Sequence, residues 1–240
     1  MKKLLIVIDM QKDFTTGPLG NAECAAAIGP VVREITSGRY DKIYVTYDTH
    51  HENYMETREG RFLPVPHCIE GSEGWQLDDE VEAALASVSG ENGPEADAAL
   101  VSVDSGNGPE AALVSAGSGN GSEVEAALAS VSSGNCDAAQ SSERPACSAG
   151  CEIVRIKKPT FGSTALQAAV VNDLANAPDG IEVTLVGVCT GICVISNAML
   201  IKAACPEIDI RVIADACACV SPETHRTALE AMKLCQIEVN

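Results

Sequence analysis

The feature that most constrains this chain is a series of short apolar runs, separated from one another by segments with helical spacing. Leu4–Ile8 is an unbroken aliphatic run that stops at the carboxylate of Asp9. A strand that is apolar on both faces must be covered on both, which is the condition of a strand inside a parallel sheet. Ala25–Ile35 then reads as a helix, Lys42–Tyr47 as a strand ending at Asp48, and Ile153–Ile156 as a strand stopping just before Lys157-Lys158-Pro159. Leu166–Ala177 has helical spacing and precedes the strand Glu182–Val186. A helix from about Cys193 to Ala204, the strand Ile208–Ile213, the helix Pro222–Leu234 and a last strand near Gln236–Val239 complete the series. This alternation predicts an α/β, Rossmann-like, three-layer fold with helices on both faces of a parallel sheet.

Residues 81–150 interrupt the pattern. An AAL[AV]S unit begins at Ala83, Ala98, Ala111 and Ala126, with Gly, Asn, Ser and Pro between the copies. Each unit carries one leucine and no aromatic residue, too little to build a stacked repeat core. The segment reads as a low-complexity, flexible or loosely helical insertion in a single domain spanning 1–240. It holds ten Asp or Glu against Arg144 alone, half of the chain's net charge of −18. Long surface insertions add little loop-closure entropy, so the α/β domain can carry one between its second and third strands.

Net charge of this sign argues against nucleic acid as a partner, because a polyanion needs a basic footprint. No apolar stretch approaches the ~20 residues of a membrane span, and the short N-terminal apolar run lacks a cleavage site, so the chain reads as cytoplasmic. Its 11 cysteines are then expected to be mostly reduced. Cys24, Cys205, Cys217, Cys219 and Cys235 read as small buried apolar residues. Cys136, Cys147 and Cys151 do not make a complete zinc site, which needs four ligands.

In open parallel sheets ligands bind beyond the carboxyl ends of the strands. Asp9, Asp48, Lys158 and the segment Gly187 to Cys193 all fall there. Within VGVCTGICV, residues 186–194, a strand turns through glycine and threonine into a helix beginning near Cys193. A helix N-terminus favours a thiolate, and its free N–H groups can cradle an oxyanion. Asp48-Thr49-His50, followed by Glu59 and by Pro66-His67-Cys68, supplies nitrogen and oxygen donors suited to Zn²⁺, with Mn²⁺ or Fe²⁺ as alternatives.

Asp9 in IVIDMQKDF, Lys158 in IKKPTFGS and Cys193 in VGVCTGICV resemble, in chain order, the Asp, Lys and Cys of the nicotinamidase and isochorismatase-like cysteine hydrolase family. The resemblance covers residues 1–80 and 152–240. It implies a six-stranded parallel sheet and hydrolysis of a small amide through a thioester on Cys193, with Asp9 moving the proton and Lys158 holding the charged forms. It implies an oxyanion hole from the backbone N–H groups of Cys189 and Cys193, beside a cis peptide at Val188-Cys189. Phe14 would stack on a bound pyridine ring, and Gln11 and Asp13 would order the loop. Asp48, His50 and His67 would be metal ligands, with Glu59 as the fourth and Glu56 or His51 as rivals. Gly191, where an acidic residue is common, and Leu63-Pro64, where an aromatic is common, depart from the pattern.

By the same resemblance, Asp48-Thr49-His50 and Pro66-His67-Cys68 imply nicotinamide as substrate, which would place the chain in pyridine-nucleotide salvage. A related hydrolase acting on another small amide or carbamoyl compound is the enzymatic alternative. An interaction scaffold built on the acidic repeat is the non-enzymatic one. Members of the family often form homo-oligomers.

Overall fold

The Leu4–Ile8 run is fully buried because its strand lies inside the sheet, with parallel partners on both sides. The computed structural model describes residues 1–89 and 150–240. Six parallel strands, β1 Lys2–Ile8, β2 Lys42–Asp48, β3 Glu152–Lys158, β4 Ile181–Val188, β5 Asp209–Ala218 and β6 Glu238–Val239, form one sheet in the order β3-β2-β1-β4-β5-β6. The strand order turns back between β1 and β4, which opens a crevice at their carboxyl ends.

The period of two along β1 sends alternate residues into two cores. Leu4, Ile6 and Ile8 pack with Leu166 and Val170 of α5 (Thr164–Ala175), with Ala198 and Ile201 of α6 (Ile195–Ala204), and with Leu229 and Met232 of α7 (Pro222–Leu234). Leu5 and Val7 face Ala27 and Val31 of α2 (Ala22–Ile35) and Val81 and Leu85 of α4 (Asp79–Val88). Short helices α1 (Lys12–Thr15) and α3 (Arg58–Phe62) lie in the connections after β1 and β2. Polar side chains set the helix starts: Asn21 accepts from the Cys24 N–H, Ser163 from the Leu166 N–H, and Ser221 forms a capping box with Thr224.

The expected three-layer α/β fold is present, with different element ends. β2 and β3 continue through Asp48 and Lys158, so these charged groups sit on strand ends and not in loops. β5 runs to Ala218, well past Ile213, through Ala-Asp-Ala-Cys residues of low strand propensity. Pairing with Gly187 and Val188 of β4, after a register shift, holds that extension. The interruption begins later than residue 81. Val81, Ala84 and Leu85 are spaced i, i+3, i+4 and are buried against the core, so the first AALAS unit belongs to α4. The remaining three units, Cys136 and Cys147 lie outside the described residues. Among the described residues, no helix is long and apolar enough to cross a membrane.

Asp173 of α5 ties this helix to the sheet. It accepts from the Tyr44 hydroxyl at 2.6 Å and from Lys2 at 2.9 Å, with Lys42 at 3.5 Å. Burial pushes its carboxyl pKa up, but these donors more than offset that and hold it below the usual carboxylate range. A carboxylate with a depressed folded-state pKa contributes stability that is present above its unfolded value and lost as pH falls through the folded one. Asp173→Asn is therefore expected to cost about 1–3 kcal/mol at neutral pH. The deficit should shrink below about pH 4, the unfolded range. Urea unfolding of both proteins at neutral and acid pH checks this; an equal deficit at both would contradict it.

Candidate active site and metal centre

Three strand ends converge on one buried cation. Lys158, the last residue of β3, is paired in register with Asp48, the last residue of β2. Its ammonium lies 2.7 Å from Asp9 Oδ2, 3.4 Å from Asp48 Oδ1 and 3.6 Å from Cys193 Sγ. All four groups are buried, at 0–5% exposure. Asp9 follows β1 with φ of +49°, a left-handed conformation costing about 1 kcal/mol for a residue with a side chain. Thr46 fixes this turn: its hydroxyl donates to Asp9 Oδ1 at 2.6 Å and accepts from the Asp9 N–H at 3.2 Å. Asp9 Oδ2 accepts no well-aligned hydrogen bond and is held by the lysine charge. It is the atom with a lone pair to offer a proton.

Close approach of β4 to β1 is what brings Cys193 here. Gly187 has φ of +117°, and a Cβ on it would stand 2.1 Å from the Ile8 carbonyl oxygen, so only glycine fits. After the cis peptide Val188-Cys189, residues Thr190–Val194 form one wide helical turn before α6. Cys193 is thus near the start of the helical segment, as the sequence predicts. Asn197, one turn on, donates to the Cys193 carbonyl at 2.8 Å and accepts from the Ser163 N–H at 2.9 Å. It locks the Cys193 turn to the chain following β3.

The electrostatics differ from the simple helix-terminus expectation. Burial pushes the Cys193 thiol well up; Lys158 pulls it down, but Asp9 and Asp48 raise it again. Burial likewise raises the Asp9 carboxyl, against the pull of Lys158. Lys158, despite its burial, is held firmly protonated by Asp48 and Asp9. Burial and the two neighbouring carboxylates thus act on the sulfur against the pull of Lys158.

Across Asp48 lies a second cluster. His50 Nε2 is 3.1 Å from Asp48 Oδ2 and 3.8 Å from Glu59 Oε1; His67 Nε2 is 3.5 Å and 3.9 Å from the same atoms. One ligand atom from each of the four residues lies within 4.8 Å of all the others. Zinc ligands at about 2.0–2.2 Å from the ion stand roughly 3.3–3.6 Å apart in a tetrahedron, so the donor set fits such an ion with slight contraction. His67 Nδ1 is 2.8 Å from the Val65 carbonyl, which fixes Nδ1 as the protonated nitrogen and leaves Nε2 for a ligand bond. Burial and then Asp48 raise the Glu59 carboxyl, a like-charge penalty that a cation would reverse. Glu59, on α3, is the fourth member; Glu56 is exposed, and His51 is 70% exposed beside Glu70.

A cavity of about 990 Å³ joins the two clusters, with Cys193 and Cys189 on one side and Asp48, His50, Glu59 and His67 on the other. Phe14 lines it, its ring edge-on to His67 at 5.4 Å. Gln11 spans the loop as expected, donating to the Asp48 and Trp75 carbonyls at 2.9 and 2.8 Å, and Asp13 accepts from the Cys68 N–H at 2.7 Å. Sequence reasoning missed Thr46, Asn197, and Tyr54, whose ring packs on His50 and His67 at 4.8 and 5.0 Å. No motif marks them; only Thr46, two residues before Asp48 on a strand and so on the same face, carried a positional signal.

Fold and site together define a hydrolase of the isochorismatase type. The isochorismatase-domain family model matches residues 3–88 and 148–239, and the chain belongs to that family. Solved structures with the same fold include the nicotinamidase/pyrazinamidase of Bacillus subtilis, at 20% identity and a TM-score of 0.62, covering 100% of this chain and 99% of that one. The pyrazinamidase of Pyrococcus horikoshii in complex with zinc is similar at 20% identity and a TM-score of 0.58, covering 100% and 99%. The N-carbamoylsarcosine amidase of Thermoplasma acidophilum is similar at 17% identity and a TM-score of 0.55, covering 100% and 96%. No curated protein matches the sequence.

Proposed function

We propose that this protein is a cysteine amidohydrolase that converts nicotinamide to nicotinate and ammonia. The observation that supports this reading is that Cys193, packed against Lys158 and Asp9 beneath it, opens into the same cavity as Asp48, His50, Glu59 and His67. Cys193 Sγ attacks the amide carbonyl carbon while its proton passes to Asp9 Oδ2, the basic atom beside it. The new oxyanion accepts hydrogen bonds from the backbone N–H groups of Cys189 and Cys193. Asp9 returns the proton to the amide nitrogen, the C–N bond breaks, and ammonia leaves a thioester on Cys193. Asp9 then takes a proton from water as its oxygen attacks the thioester, and the acid departs as the thiol is restored. Lys158 stays charged throughout and keeps two carboxylates compatible in a dry site.

Asp48, His50, Glu59 and His67 would hold a divalent cation, zinc by donor type, which supplies a Lewis-acidic anchor for the pyridine nitrogen. Phe14 packs beside the ring. The chemistry would need only residues 1–89 and 150–240, so a chain lacking the acidic repeat should retain turnover; the scaffold reading predicts otherwise. The N-carbamoylsarcosine amidase likeness keeps a carbamoyl substrate as the second reading.

The purified chain is expected to contain about one divalent metal ion, to release ammonia from nicotinamide, and to lose that activity on chelation. Re-addition of Zn²⁺, Mn²⁺ or Fe²⁺ should restore it. A metal-free chain that hydrolyses a carbamoyl compound and leaves nicotinamide untouched would replace the first reading by the second.

A further inference from the structure

We infer that Cys189 and Cys219 form an oxidation-sensitive dithiol beside the nucleophile turn, a disulfide-forming pair whose oxidant is a small peroxide. The sheet register brings them together. Val188 of β4 pairs with Ala218 of β5, and the two cysteines are the residues that follow. Neighbouring strands stand about 4.7–4.9 Å apart. That spacing lies inside the roughly 4.4–6.8 Å range of Cα separations across disulfides. The two sulfurs act on each other's acidity, Cys219 raising the Cys189 thiol, and both are free. Cys24, from α2, completes a group of three: its Sγ lies 4.0 Å from the Cys219 carbonyl, and Cys189 lowers its thiol.

Access and reactivity are divided between the two partners. Cys189 lines the cavity, while Cys219 is only 2% exposed. Cys219 nevertheless lies just beneath Gly191, an exposed residue on which a Cβ would stand 3.3 Å from the Cys219 sulfur. The absence of a side chain there leaves the sulfur thinly covered. Hydrogen bonds from Cys189 first, and then from Thr224 and the N–H groups of Gly191 and Val220, outweigh burial and lower the Cys219 thiol to about 5. Cys219 is therefore the more acidic sulfur and Cys189 the less acidic one, the arrangement that suits one to be the nucleophile and the other the resolving group.

The chemistry balances in two steps. The Cys219 thiolate attacks one oxygen of hydrogen peroxide, the O–O bond breaks, and hydroxide leaves a sulfenic acid on Cys219. Cys189 then attacks that sulfur, its proton leaves with the sulfenic oxygen as water, and the S–S bond forms. Two thiols are oxidised and one peroxide is reduced to two waters. The link would tie the turn at 189–193, which carries the nucleophile and the oxyanion donors, to the segment leading into α7. That consequence for turnover rests on the amidohydrolase reading; formation of the link does not.

The test uses the full chain with Cys193→Ala, so that the nucleophile cannot react. After brief treatment with hydrogen peroxide, peptide mapping by mass spectrometry should find the Cys189 peptide joined to the Cys219 peptide with loss of two hydrogens, released again by dithiothreitol. The linked species should be absent when Cys219→Ala or Cys219→Ser is added. With Cys193 intact, peroxide should cause a loss of turnover that dithiothreitol partly reverses, and Cys219→Ala should remove the reversible part. Sulfenic or higher acids with no link, or a link from Cys189 to any other cysteine, would overturn the pairing. A chain that forms the link but hydrolyses no amide would sink the amidohydrolase reading and leave the dithiol standing.

Discussion

Under the proposed function, Cys193→Ala is expected to lower nicotinamide turnover by roughly 10⁴-fold or more, because the group that would form the covalent intermediate is gone while the cavity and the proposed oxyanion donors remain. Cys193 is the sulfur that lies 3.6 Å from Lys158 within bonding reach of Asp9, so no other cysteine can substitute. The variant should stay folded: removing one sulfur atom from a buried site costs on the order of 1 kcal/mol. It should also bind substrate with little change, since the ring-binding side of the cavity is intact. Steady-state ammonia release together with calorimetric binding of nicotinamide measures both quantities. Turnover within tenfold of the parent would remove Cys193 from the mechanism.

Lys158→Met carries the second large effect, and here the loss is in folding as well as rate. Asp9 and Asp48 are both buried and both within 3.4 Å of the ammonium, so its removal leaves two carboxylates facing each other without a counter-charge. Breaking a buried ion pair in this way costs about 3–5 kcal/mol. For a chain of this size that corresponds to a fall in Tm of roughly 10 °C. Adding Asp9→Asn should recover part of the stability, since one of the orphaned charges is then gone, but none of the activity. Thermal melts of the single and double variants test this. An Asp9→Asn change that further destabilises Lys158→Met would show that charge is not the cause.

Much of the site was legible because its chemistry sits at strand ends, and strand ends are marked by a change from aliphatic to charged residues. Asp9 and Asp48 follow apolar runs directly, and Cys193 follows one through a glycine turn. Lys158 and Asp48 were read as lying just beyond their strands; neighbouring strands draw them in by pairing, which no single-strand pattern contains. Glu59 could be ranked above Glu56 and His51 but not separated from them, because α3 turns Glu59 inward by a fold of the connection after β2. α4 was missed for a different reason. Its Ala-rich pattern matches the repeat that follows, and only its contact with α2 distinguishes the first copy from the rest. The influence of Asp9 and Asp48 on the Cys193 sulfur was not legible, since a local rule about helix ends cannot register carboxylates brought in by other strands.

The position of β3 at the border of the sheet has a kinetic meaning. Lys158 reaches the site on a strand that pairs on one side only, with β2, while β1 and β4 are held from both sides. Joining β3 to β2 also closes the longest gap between strands that are consecutive in sequence, from Asp48 to Glu152. Contacts of such separation are slow to form, because chain entropy is lost before any bonding compensates. The cation that makes two carboxylates tolerable thus arrives on a strand held by one neighbour only. The geometry of this site therefore depends on the seating of one border strand.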